Sequence, residues 1–141
     1  MAVIKVVIKN ENNITYIGGK AQQMEKSTRV KARVKAQALK EFMSTKDRVV
    51  VMGHKITDVD ALGAGIGIYR AGKTLGKPVI CDNDPTHHSA LVMSGFMENP
   101  DYEPSMFVDS NQAKELVDNN TVVIVVDTNK PSYTECRIFS I

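Results

Sequence analysis

The segment GHKITDVD, Gly53 to Asp60, gathers one imidazole and two carboxylates within seven residues: His54, Asp58 and Asp60. It follows VVVM, Val49 to Met52, a continuous apolar run of the kind found in strands buried on both faces. In an open α/β sheet the carboxyl ends of strands are where ligands bind. Imidazole and carboxylate donors together suit a divalent transition metal such as Mn²⁺. Asp58 and Asp60 are two residues apart, so in an extended loop they point in different directions and can serve two ions. A second apolar run, TVVIVVD, also ends in a carboxylate, Asp127. If the two strands are parallel neighbours, Asp127 arrives beside the His54–Asp60 loop and can bridge two ions. Metal pairs about 3.5–4 Å apart are typical of enzymes that hydrolyse phosphate esters, one ion generating a hydroxide and both stabilising the phosphoryl oxygens. A plainer use of the same residues is local. Asp58 or Asp60 suits the N-cap of the following helix, and Asp127 suits a turn before Lys130-Pro131.

A second stretch, GIYRAGKT from Gly67 to Thr74, matches the phosphate-loop pattern G-x-x-x-x-G-K-[ST] letter for letter. A working phosphate loop leaves a strand and enters a helix. Here DALGAGI, ahead of the match, is helix-like, and the strand-like PVICD follows within a few residues. The stretch therefore reads as a helix end with its glycine terminator, Leu75-Gly76. Lys73 in the last turn suits the negative end of the helix dipole.

The elements that must position these groups follow from periodicity. Val3–Ile8 and Ile14–Ile17 are short β-branched runs around NENN, which predicts a β-hairpin with Gly18-Gly19 closing it. A helix capped by Ser27 or Thr28 is expected to run to about Met43, with Val30, Val34, Ala38, Leu39 and Phe42 on one face. Its remaining surface is basic: Arg29, Lys31, Arg33, Lys35 and Lys40. That is a solvated face or a surface toward a polyanion or an acidic neighbour. Further elements are a strand at 49–52, a helix from about Asp60 to Thr74, a strand at 78–81 and a helix at 87–97. A brief strand at 106–108, a helix from Asp109 or Ser110 to about Asp118, and a strand at 122–126 complete the series. Strand and helix alternate, so the fold class is α/β, a parallel sheet flanked by helices with a short N-terminal β-hairpin.

Composition excludes several classes. The 141 residues are 43% apolar with a net charge of +2, which suits one domain with a core and gives no bulk call for nucleic acid. No stretch approaches the ~18 apolar residues of a membrane span, and MAVIKVVIKNE lacks the features of a signal peptide. Two cysteines, Cys81 and Cys136, show no zinc-ligand spacing and suggest a reducing, cytoplasmic setting.

HKITDVDALGA followed by VVIVVDTNKPS resembles the first two motifs of the DHH phosphoesterase superfamily. YIGGKAQQMEKSTRVKARVKAQALKEFM ahead of VVVMGHKITDVDALGAGIGIYR is similar to the membrane-anchored cyclic di-AMP phosphodiesterases of the GdpP/YybT type. The resemblance covers about Val3 to Glu135. It implies an incomplete DHH-type Rossmann-like domain over 26–141, and it makes residues 1–25 the hairpin or tail of an upstream degenerate GGDEF-like domain. It implies that His54 and Asp58 bind one Mn²⁺, that Asp60 binds the other and that Asp127 bridges. Thr128, Asn129 and Lys130 would line the substrate edge, the substrate being a cyclic dinucleotide cleaved to the linear form. The family's Asp-His-His motif belongs beyond the strand after Asp127, and the sequence ends at Ile141 without it. His87-His88 follows Pro85-Thr86 rather than an aspartate, between the first two motifs. The expectation is therefore a truncated domain with little or no hydrolysis alone and no direct membrane contact. Alternatives are a non-catalytic module that forms homo-oligomers or binds a partner through exposed strand edges, and a different DHH chemistry such as pyrophosphate or oligoribonucleotide cleavage.

Overall fold

The structure is a computed structural model, and it describes residues 4–10, 13–17, 29–56, 58–82, 90–128 and 133–134. Six strands form one sheet in the order β2-β1-β6-β3-β4-β5. They are β1 (Ile4–Asn10), β2 (Asn13–Ile17), β3 (Arg48–Met52), β4 (Val79–Asp82), β5 (Phe107–Val108) and β6 (Thr121–Val126). β6, β3, β4 and β5 run parallel to one another. The hairpin β1–β2 extends this sheet, with β1 antiparallel to β6 in a register that sets Ile4 opposite Val126. The α/β class, the parallel sheet and the hairpin agree with the periodicity.

β3 and β6 form the centre because both of their faces are apolar. Val49, Val50, Val51 and Met52 are fully buried, as are Val122, Ile124 and Val126. Side chains alternate across the sheet. Val49, Val51, Val122, Ile124 and Val126 join the main core, while Met52 and Val125 share a smaller cluster with Val123.

The helices are α1 (Arg29–Thr45), α2 (Val59–Thr74), α3 (Ala90–Met97) and α4 (Ser110–Leu116). α2 lies against the sheet and buries Ala61, Leu62, Gly65, Ile66, Ile68, Tyr69 and Gly72. Its glycines set the distance. A Cβ on Gly72 would stand 1.9 Å from Val79 Cγ2, and one on Gly65 would stand 3.1 Å from Cys81 Sγ. Small residues on this face thus let the backbone come within reach of the strands. α4 begins with a reciprocal cap: Asp109 accepts from the Asn111 and Gln112 backbones, and the Gln112 side chain accepts from the Asp109 N–H.

The phosphate-loop lookalike lies wholly on α2, whose last residue is Thr74, and Gly76 follows with φ +67°. The left-handed conformation explains the glycine there. Lys73 pairs with Glu103 at 3.4 Å, at the opposite end of α2 from His54 and the acids. The irregular segment after α3 meets α2 and α3 through Tyr102, whose ring centroid lies 6.0 Å from that of Tyr69 on α2. Arg70 donates to the Tyr102 hydroxyl at 2.9 Å, and Phe96 meets the Tyr102 ring edge-on at 5.0 Å.

Three expectations shift. α1 starts at Arg29 and continues to Thr45, and the residues expected to cap it lie outside those described. Its apolar stripe is not a buried face along its length: Val30 is 69% exposed and Val34 63%, and only Met43 is buried. The first two turns are exposed among the described residues, so the apolar period there does not mark a buried face. α4 ends at Leu116, two residues before the expected end, and Asp118 starts a turn in which it accepts from Thr121 and Asn120. Among the described residues, no helix is long and apolar enough to cross a membrane.

Candidate metal centre

The parallel register of β3 and β6 assembles the site. Met52 stands opposite Val125, so the chain leaves both strands at the same edge of the sheet. Two residues further along each strand lie His54 and Asp127. Their side chains face each other, with Nε2 of His54 3.7 Å from an Oδ of Asp127. Asp127 has φ +57°, the one non-glycine residue with positive φ among those described. That left-handed conformation is uncommon for a residue with a Cβ, and aspartate is among the few that tolerate it. It turns the chain sharply as β6 ends.

Asp58 arrives from the other side, at the start of α2. Gly53 makes this approach possible, because a Cβ there would stand 3.0 Å from the Ala61 Cβ. Asp58 is the N-cap of α2, and its Oδ1 accepts from the Ala61 N–H at 2.9 Å. Its Oδ2 lies 3.6 Å from His54 Nε2. The two readings of this residue are thus compatible: one oxygen caps the helix and the other faces the imidazole. The helix begins earlier than its apolar pattern suggests, so Asp58 and Asp60 do not share an extended loop. Asp60 sits exposed on the first turn of α2. A carboxylate there complements the positive helix terminus.

His54, Asp58 and Asp127 each offer one donor atom, and the three atoms lie within 4.8 Å of one another. Asp60 is not part of that cluster. The 3.6 and 3.7 Å separations exceed hydrogen-bond lengths. They resemble the spacing of donors around one ion, since two ligands each about 2.1 Å from a metal stand about 3–3.6 Å apart at ordinary ligand angles. An imidazole with two carboxylates is also the donor set that first-row divalent metals accept. The residues present therefore fit a divalent metal. The side chains of His54 and Asp127 are 22% and 27% exposed, and that of Asp58 is 58%.

Of the expected substrate residues, Thr128 follows Asp127 and is half-buried. Asn129 and Lys130 lie outside the described residues. The periodicity gave no hint of another neighbour. Thr134 pairs with His54 in an isolated antiparallel bridge, and the Lys55 N–H donates to the Tyr133 carbonyl at 2.7 Å. Thr134 is 3% exposed, the one buried polar residue among those described. A threonine in a polar run carries no periodic signal for this.

The order of elements and the parallel β3–β6 pair define an α/β domain with an imidazole–carboxylate cluster at the carboxyl edge of its sheet. Residues 48–140 match the DHH family, N-terminal domain. The chain belongs to this family. It is 38% identical over 131 residues to the cyclic-di-AMP phosphodiesterase GdpP of Bacillus subtilis and 39% identical over 131 residues to that of Geobacillus thermodenitrificans. Over 132 residues it is 36% identical to the cyclic-di-AMP phosphodiesterase PdeA of Listeria monocytogenes. Each alignment covers 91% of this chain and 20% of the relative, so the chain spans about one fifth of the length of these proteins.

Proposed function

We propose that this chain is the N-terminal, metal-binding part of a phosphodiesterase domain that hydrolyses cyclic di-AMP to the linear dinucleotide, with Mn²⁺ as the metal. The observation that supports it most is the meeting of His54, Asp58 and Asp127 at separations longer than hydrogen bonds and suited to ligands of one ion. The relatives' names supply the substrate class. A bound divalent ion would supply charge stabilisation for the phosphoryl oxygens as they become more negative. The chain's own residues present the donors at the carboxyl edge of the sheet and hold Asp58 through the α2 cap. In this proposal Asp60 is a ligand of the second ion, and Thr128, Asn129 and Lys130 line the substrate edge. The two cysteines lack any ligand or framework spacing, which suits a reducing compartment, and we place the chain in the cytoplasm.

Three gathered donors fill only about half of a six-coordinate shell. Loose placement of a reacting group costs about 100-fold in rate, so the 141-residue chain alone should bind metal and turn over little or no substrate. The test is an Mn²⁺ titration followed by a cyclic di-AMP hydrolysis assay, each run on the wild type and on His54→Ala. Expected are Mn²⁺ binding in the wild type, weakened at least about tenfold by the substitution, and hydrolysis near background in both. Equal Mn²⁺ binding by the two proteins would exclude the cluster as the metal site. Turnover abolished by His54→Ala would show instead that these ligands suffice for catalysis.

A further inference from the structure

His54 stands two residues past the end of β3, where the ladder to β4 and β6 no longer fixes it. Its side chain nevertheless faces two carboxylates from separate elements. Something besides β3 must hold its backbone. The described neighbours that do so are Tyr133 and Thr134. Thr134 is bridged to His54, its side chain is buried, and the next residue's N–H, that of Lys55, donates to Tyr133 at 2.7 Å. The same stretch of chain leaves Asp127 in the left-handed conformation, 3.7 Å from the His54 ring. One end of the segment thus presents a carboxylate to the imidazole, and the other end grips the backbone that carries it.

We propose that Tyr133 and Thr134 are positioning residues for the metal centre, acting through the backbone of His54–Lys55. This rests on the metal-binding reading above. The physical reason is that a donor on a loop is aimed only as well as the loop is held, and supporting contacts of this kind typically alter metal affinity about 10–100-fold. The bridge removes the freedom of His54 to swing away from Asp58 and Asp127. It also ties the two sides of the cluster together, so ordering 133–134 against His54 and gathering the donors become one event. Neither residue touches the metal in this scheme.

The decisive comparison is Lys55→Pro against Lys55→Ala in the full 141-residue chain. Both remove the side chain, and only proline removes the N–H that reaches Tyr133. Mn²⁺ affinity is read from the free-ion paramagnetic resonance signal, and imidazole coordination from nitrogen modulation of the bound ion's spin echo. Lys55→Pro is expected to bind Mn²⁺ at least about tenfold more weakly than Lys55→Ala, with the nitrogen modulation reduced or lost. Affinities within about twofold of each other, with the modulation intact in both, would overturn the positioning role and leave the metal site standing. A wild type that binds no Mn²⁺ would overturn the metal reading itself. If Lys55→Pro fails to fold, amide exchange of the wild type decides. Mn²⁺ should slow exchange in peptides containing Lys55 and Tyr133–Thr134 alike, and slowing confined to the Lys55 peptide would sink the proposal.

Discussion

α1 and α2 are nearly equal in length, 17 and 16 residues, and they reverse what their sequences advertise. α1 has good helix formers and a regular apolar stripe, yet buries one residue, Met43. α2 carries Gly63, Gly65, Gly67 and Gly72, each unfavourable in a helix interior by about 1 kcal/mol relative to alanine, yet buries seven residues against the sheet. Propensity decides whether a helix can form; the thickness of its contact face decides where it can lie. α2 has to lie close because its first turn delivers Asp58 to His54. α1 delivers no residue to the cluster.

Adding bulk at the contact is the strongest way to break this contrast. A Cβ on Gly72 meets the stiff, buried Val79 at 1.9 Å, so Gly72→Val should destabilise the fold by about 2–3 kcal/mol. Gly67 has nothing within 4 Å of a built Cβ, so Gly67→Ala on the same helix should instead stabilise by about 0.5–1 kcal/mol. Denaturant midpoints moving in the same direction for both would mean that α2 is not held by close packing.

Asp58 allows a finer cut between architecture and chemistry. Asp58→Ala removes the cap and should cost about 1 kcal/mol, whereas Asp58→Ser keeps a capping oxygen and should cost little. Both remove the donor facing His54, so both should weaken Mn²⁺ binding by about tenfold or more. Urea melts paired with metal titrations check this, and Asp58→Ser retaining wild-type affinity would reduce Asp58 to a cap. The smallest effect belongs to α1. Val30 and Val34 are exposed, so replacing both with serine should change the folding midpoint of this chain by no more than about 0.5 kcal/mol. A larger loss would reveal a packing partner for that half of α1.

The same contrast explains how much could be read beforehand. β3, β6 and α2 were legible because burial on both faces leaves a run of apolar residues, and a helix lying on a sheet leaves small ones. His54, Asp58 and Asp127 were legible as strand-end and loop-end donors, once the parallel pairing of β3 and β6 was assumed. The exposure of Val30 and Val34 was not legible, since an apolar period records a face and not its partner. Nor was the arrangement of Asp58, which caps α2 with one oxygen and turns the other toward His54. Thr134 was the least visible, since its burial depends on a pairing with His54 from a distant part of the chain.

The turn at Asp127 also limits what this position can become over generations. Its φ of +57° admits few residues with a side chain, and asparagine is the one nearest in shape. Exchanging a carboxylate oxygen for an amide nitrogen would silence a donor while leaving the bend of the chain intact. Most other replacements would disturb both at once. A variant that loses this carboxylate but keeps the fold therefore has a short path through Asp127→Asn, and the return path is equally short.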